Sequence, residues 1–155
     1  MSTRGEKIQT IQEFPSRLRA LVADLSEDDL TTKFLPDEWT VTQVVHHCAD
    51  SHMNSIIRLK LMLTEEKPPL KGYDEKQWAM LVDGNQADLE PSLRILEGLH
   101  TRWVLVWESL TDAQWQRTGI HSELGEITLD DLLDIYDDHC RIHIEQIEKV
   151  LAARP

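Results

Sequence analysis

"TLDDLLDIYDDHCRIHIEQIEKVLAA", residues 128–153, is the stretch from which the fold is read. Thr128-Leu-Asp-Asp131 has the form of a helix start, a threonine followed three residues later by a side chain that can return its hydrogen bond. Beyond it Leu132, Tyr136, His139, His143, Ile147 and Val150 step by three and four, so they share one face of a helix. The spacing predicts an amphipathic helix to about Ala153 with that stripe turned inward. Two imidazoles, His139 and His143, lie on the stripe one turn apart. A buried imidazole needs a hydrogen-bond partner or a metal. Two at this spacing can chelate one ion through their ring nitrogens. The competing reading is a pair of half-buried histidines bonded to carbonyls or carboxylates. A shared ion also needs a third ligand from another part of the chain.

Working outward, the rest of the chain is patterned the same way. Ile8, Ile11, Phe14, Leu18, Leu21 and Leu25 predict a helix from about Lys7 to Leu25. Ser26-Glu-Asp-Asp29 starts a short helical turn. Thr40-Val-Thr-Gln43 opens a long helix to about Thr64, and Trp39 before it suits a hydrophobic staple. Residues 65–74, with Pro68, Pro69 and Gly72, form a loop, followed by a short helix over Glu75–Val82. Pro91 fits the first position of another long helix that carries Leu93, Leu96, His100, Trp103, Val104 and Trp107. Trp103 and Trp107 read as core. Thr111-Asp-Ala-Gln114 caps a further short piece, and the turn-rich residues 118–127 could close as a hairpin. Gly and Pro are expected between the periodic segments, and no stretch reads convincingly as a strand. The expectation is an all-α four-helix bundle with short helical inserts, a single domain over residues 1–155.

Composition narrows the function. A formal net charge of -12 disfavours nucleic acid and anionic membrane as partners. The apolar runs are too short for a membrane span or a signal peptide. Two cysteines, Cys48 and Cys140, make no disulfide framework, which points to a reducing, cytoplasmic setting. Cys48 reads as a small apolar core residue. Cys140, beside a candidate ligand, is a redox candidate, though it points about 100° away from it.

The third ligand is sought in "VVHHCADSHMN", residues 44–54, where His46, His47 and His52 compete. Neighbours on a helix point about 100° apart, so His46 and His47 cannot both face one ion. Periodicity alone favours His52. Asp50 and Asp138 could orient imidazoles or move protons, and Asp138 equally fits a solvated helix face. Asn54 and Arg58, within two turns of His47, could contact an anionic substrate or lie on the surface.

The stretch from Glu38 to Trp78, "EWTVTQVVHHCADSHMNSIIRLKLMLTEEKPPLKGYDEKQW", resembles the DinB/YfiT-like superfamily of metal-binding bundles. So do "LHTRW" at 99–103 and "DIYDDHCRIHIEQI" at 134–147. The likeness is nearest to the YfiT branch of metal-dependent hydrolases and bacillithiol transferases. It implies an up-down-down-up bundle, a homodimer and one divalent ion, zinc or nickel, per chain. Carried over position by position, it assigns the ion to His47, His139 and His143, against the periodicity argument for His52. This chain departs from its relatives at Cys140, Arg141 and Gln146, where they are richer in histidine.

Three histidines leave a coordination position open, as in catalytic rather than structural zinc sites. Such a site can lower the pKa of a water or hold a thiol as thiolate. Zinc proteases carry a glutamate base beside the first histidine of the helix. Here Cys140 stands there, which leans toward thiol chemistry. The resemblance implies transfer of a low-molecular-weight thiol, such as bacillithiol or mycothiol, to a small electrophilic substrate. Metal-dependent hydrolysis, a non-catalytic metal- or ligand-binding bundle, and a plain interaction module are the alternatives.

Overall fold

The computed structural model describes residues 2–155. Its helices start where the sequence supplies reciprocal caps. Thr3, Ser26, Thr40, Thr111 and Thr128 each accept from the N–H three residues on, and Glu6, Asp29, Gln43, Gln114 and Asp131 return the bond. They open α1 (Arg4–Val22), α2 (Glu27–Thr31), α3 (Val41–Thr64), α6 (Asp112–Trp115) and α7 (Leu129–Ala152). Between them lie α4 (Glu75–Ala79) and α5 (Glu90–Glu108). Glu90 N–H is met by the Asp88 carboxylate, and Pro91 sits in the first turn of α5.

Several boundaries differ from expectation, among them the end of α1, at Val22 rather than near Leu25. Helix α1 begins a turn earlier, because the Thr3–Glu6 box precedes the first apolar residue of the stripe. Pro15 lies inside it, as it does in the Lys7–Leu25 span read from the stripe, and so departs from the general expectation that Gly and Pro fall between periodic segments. The helix at Glu75 stops at Ala79 and gives way to a 3-10 turn at Asp83–Asn85. The Ala79 carbonyl is taken there by the side chains of Gln43 and Asn85.

Cross-helix contacts fix the directions. Arg4 pairs with Asp130 and Lys7 with Asp134, so α1 and α7 run parallel. Arg19 reaches Glu90 while Ile11 meets His100, so α1 and α5 are antiparallel. His46 meets Ser92 and His52 meets His100, so α3 and α5 run parallel. His47 lies by His139, whereas Arg58 reaches Tyr136, so α3 opposes α7. The bundle is therefore up-down-down-up, as expected. Each of α1 and α3 packs on both α5 and α7, which leaves these two consecutive long helices on a diagonal. Such surface pairs report direction but contribute little stability each. The core is made by Ile11, Phe14, Leu18, Val44, Leu59, Leu96, Trp103, Trp107, Leu132 and Ile147 with their neighbours. No described helix is long and apolar enough to cross a membrane.

A small sheet closes one side. The hairpin of β2 (Thr118–His121) and β3 (Gly125–Thr128) forms as allowed. The two-residue β1 (Pro69–Leu70), read from sequence as loop, adds to it in parallel. Two residues carry no periodicity, so nothing in the sequence marks that strand. Gly119 lets the sheet approach α3: a Cβ there would lie 2.7 Å from Leu70 Cδ1 and 3.0 Å from Met62 Cγ. Gly119→Val should therefore destabilise by about 1–3 kcal/mol through overpacking. Urea unfolding of the metal-free protein reads this directly, and an unchanged midpoint would mean the contact has slack.

Candidate metal centre

Helix α3 delivers His47 and helix α7 delivers His139 and His143 to one point. The His139 Nε2 lies 3.1 Å from His47 Nε2 and 3.1 Å from His143 Nε2. The nitrogens of all three residues fall within 4.8 Å of one another. His47 is buried, while His139 and His143 are half-buried and open on a cleft of about 610 Å³. The i, i+4 spacing puts His139 and His143 on successive turns of one face of α7, and both turns face His47 on α3.

The fit to a cation can be tested on His143. Its Nδ1 lies 2.7 Å from Gln146 Oε1, and Gln146 Nε2 donates to Glu38 at 2.9 Å. A carboxylate only accepts, so the amide nitrogen must face Glu38 and the amide oxygen must face His143. His143 Nδ1 then carries the proton, and its Nε2 presents a lone pair to the cluster. Lys149 also pairs with Glu38 and, with Gln146, holds that carboxyl below its usual range. A donor set of imidazole nitrogens about 3.1 Å apart matches two ligands sharing one ion at roughly 2.0–2.1 Å each. Among the described residues no fourth His, Cys, Asp or Glu joins the group.

Burial sets the protonation. It is the first cause lowering His47, to about 3, with the neighbouring His143 adding to it. It lowers His139 far below the ordinary imidazole value, again with His143 and His47 contributing, and it lowers His143. Neutral imidazoles are the form a metal requires.

The remaining sequence candidates fall elsewhere. His52, favoured by periodicity, is fully buried behind His139, with its Nε2 2.9 Å from His139 Nδ1. His46 is spent as a tie, its ring nitrogens 2.7 Å from Ser92 Oγ and 2.8 Å from the Gln86 carbonyl. Asp50 does not line the cleft. Burial, then Asp83, raises its carboxyl. Asn54 donates to the Asp50 carbonyl and lines nothing in the cleft. Arg58, allowed above as a surface residue, is buried and ties α3 to the Lys71 carbonyl and Tyr136. Asp138 is exposed and pairs with Arg141. Cys140 is buried, and burial first of all pushes its thiol well above the usual range, which argues against redox reactivity.

Several site residues escaped the sequence reading. Trp39, read as a staple, packs edge-on against His47 with ring centroids 4.9 Å apart. Gln146 was noted only as a departure, although its i, i+3 spacing from His143 marks it as a partner on the same face. Glu38 comes from a connecting loop, where periodicity says nothing.

Against known proteins, the model of the DinB superfamily matches residues 10–147. The chain is 44% identical over 144 residues to the "Putative metal-dependent hydrolase YfiT" of Bacillus subtilis, covering 92% of this chain and 81% of that one. A protein of the same description from Oceanobacillus iheyensis is 44% identical over 143 residues, with 92% and 83% covered. The solved structure of Bacillus subtilis YfiT, described as "a probable metal-dependent hydrolase with an unusual four-helix bundle topology", superposes with a TM-score of 0.91 at 42% identity, covering 97% of this chain and 87% of that one. The chain belongs to the DinB superfamily, in its YfiT branch. A mycothiol-dependent maleylpyruvate isomerase shares the fold at a TM-score of 0.73 and 13% identity, with 94% of this chain and 61% of that one covered.

The buried imidazoles carry a pH signature. In the unfolded chain a histidine titrates near 6.5, whereas folded His47 and His100 are held to about 3 and about 4 by burial. As pH falls the unfolded state binds the proton first, so stability rises with pH across this window. It should be full above about pH 7 and drop as pH falls below about 6.5. Metal-free protein at pH 5.5 should be weaker by about 1–3 kcal/mol than at pH 7.5. Urea unfolding with chelator present measures it, and equal stabilities would refute the neutral, buried assignment.

Proposed function

We propose that this chain is a metal-dependent enzyme in which His47, His139 and His143 hold one divalent ion, zinc or nickel. We further propose that it transfers a low-molecular-weight thiol to an electrophilic substrate. The observation that carries the reading is a cluster of three imidazole nitrogens with no fourth protein donor among the described residues, facing a cleft of about 610 Å³. A structural site would close itself with a fourth ligand. Bound there, a divalent ion supplies Lewis acidity that favours the deprotonated form of a thiol or water arriving from the cleft.

The chain's own groups support thiol chemistry over water. A water nucleophile calls for a nearby base, and no carboxylate joins the cluster. Glu38 is committed to Gln146 and Lys149. The buried Cys140 is neither base nor nucleophile. Gln146 orients His143, and the Trp39 ring covers one side of His47. Lys76 at the cleft rim offers a positive charge to an anionic group. Hydrolysis is the second reading, favoured by the description of the relatives and by Glu75 and Glu145 on the same cleft. A cytoplasmic setting, in keeping with two free, buried cysteines, and the homodimer that the family resemblance implies complete the proposal.

Metal analysis should return one equivalent per chain, lost in His143→Ala. At one hundred times Kd the ion should add about 2.7 kcal/mol to stability, leaving a folded bundle when removed. Complete unfolding on chelation would make the site structural.

Turnover should need an added thiol and fall in His139→Ala or His143→Ala by more than the roughly 10–100-fold typical of residues behind a ligand. Cys140→Ser should retain activity. In cobalt-substituted protein the thiol should bring a sulfur-to-metal charge-transfer band. Thiol-free cleavage of an ester or amide, lost in His143→Ala, would establish the hydrolase instead. Metal binding without turnover in either assay would leave a binding bundle.

A further inference from the structure

Behind the cluster runs a line of imidazoles. His139 Nδ1 lies 2.9 Å from His52 Nε2, and His52 Nδ1 lies 2.7 Å from His100 Nε2. His100 Nδ1 lies 2.6 Å from the Ile11 carbonyl oxygen. That carbonyl is in the middle of α1, where the N–H four residues on should take it. The residue four on is Pro15, which has no N–H. The helix thus leaves this oxygen to His100.

The end point fixes every proton. A carbonyl only accepts, so His100 Nδ1 must donate. A neutral His100 then has a lone pair at Nε2, and His52 Nδ1 must donate to it. His52 Nε2 is left as an acceptor, so His139 Nδ1 must donate in turn. His139 Nε2 is therefore a lone pair, and it is the atom aimed at His47 and His143. His52 and His100 are almost wholly enclosed, where an uncompensated second proton would be costly. The surroundings are dry: His52 packs against Phe14, Trp103 and Tyr136, with ring centroids 5.2, 5.4 and 5.5 Å away. In such a setting an unpaired nitrogen is costly and a directed chain is rigid.

We propose that His52 and His100 are positioning residues which, anchored on the carbonyl that Pro15 releases, hold His139 in the one tautomer able to bind a metal. The inference rests on the three-histidine reading of the site. It assigns a use to His52 other than ligation.

The test has two readouts. In metal-free protein near neutral pH, long-range proton–nitrogen correlation spectra should show His100, His52 and His139 each protonated at Nδ1. Zinc affinity is then measured by competition with a chromophoric chelator. His52→Leu removes the acceptor and should weaken zinc binding by about 10–100-fold. It should also release His139 from the pure Nδ1–H form. His52→Gln can accept at Oε1 and donate at Nε2, so it should restore both affinity and tautomer. An Nε2–H His139 in the wild type, or wild-type affinity in a folded His52→Leu, overturns the proposal. Should His52→Leu not fold, the wild-type tautomers decide it alone. If the wild type binds no zinc, the ligand assignment fails while the tautomers still judge the relay. If zinc binding is lost in His143→Ala but intact in His52→Leu, the ligands stand and the relay falls.

Discussion

A helix carbonyl without its helical partner is the constraint on which this structure turns. Ile11 is freed by Pro15, and two buried imidazoles and a half-buried third are lined up on the oxygen it leaves. Leaving such a group unpaired in a core costs about 1–3 kcal/mol, and each imidazole passed along would incur a similar penalty. The row of contacts visits all four long helices: Ile11 on α1, His100 on α5, His52 on α3 and His139 on α7. In the observed arrangement these four positions fall at one level of the bundle. Antiparallel α1 and α5 bring Ile11 beside His100, parallel α3 and α5 bring His52 in, and antiparallel α3 and α7 complete the line. The topology and the polar core are one arrangement seen at two scales.

The two histidines of α7 are held by different means. His139 is fixed from the dry side, through neutral rings and a backbone oxygen. His143 is fixed from the wet side, through Gln146 to a carboxylate that Lys149 also engages. The buried arm is insensitive to salt and rigid. The surface arm is screened by ions and open to exchange with water. Access from the cleft thus coincides with the softer arm, where a small molecule must enter.

Much of this was legible in the sequence, for identifiable reasons. The apolar stripes and the capping boxes at Thr40, Thr111 and Thr128 mark helices because helix periodicity and cap chemistry are local. The His139–His143 pair was legible for the same reason. Choosing between His47 and His52 was not, because it depends on the rotation of α3 against α7. Periodicity chose the residue nearest the centre of the buried face, and that position proved too deep: His52 is wholly enclosed. Pro15 lies within α1, inside the span that the apolar stripe from Ile8 to Leu25 marks. The sequence shows a missing N–H there but not which distant donor takes its place. The strand at Pro69–Leu70 was invisible because its partner is some fifty residues away, at Ile120–His121.

The seven histidines separate by a simple criterion. His46 has both nitrogens engaged, one by Ser92 and one by the Gln86 carbonyl, and so has nothing to offer an ion. His121 spends its Nδ1 on the backbone N–H groups of Glu123 and Leu124 in the hairpin turn. His52 and His100 have both nitrogens in the relay. His139 and His143 have Nδ1 bound to a protein acceptor and Nε2 left for the cluster, and His47 brings its own Nε2 to the same point. What singles out a candidate ligand in this bundle is therefore neither burial nor position on a stripe. It is a ring with one nitrogen turned toward other rings in the same state, and three such nitrogens at one point call for a positive charge among them.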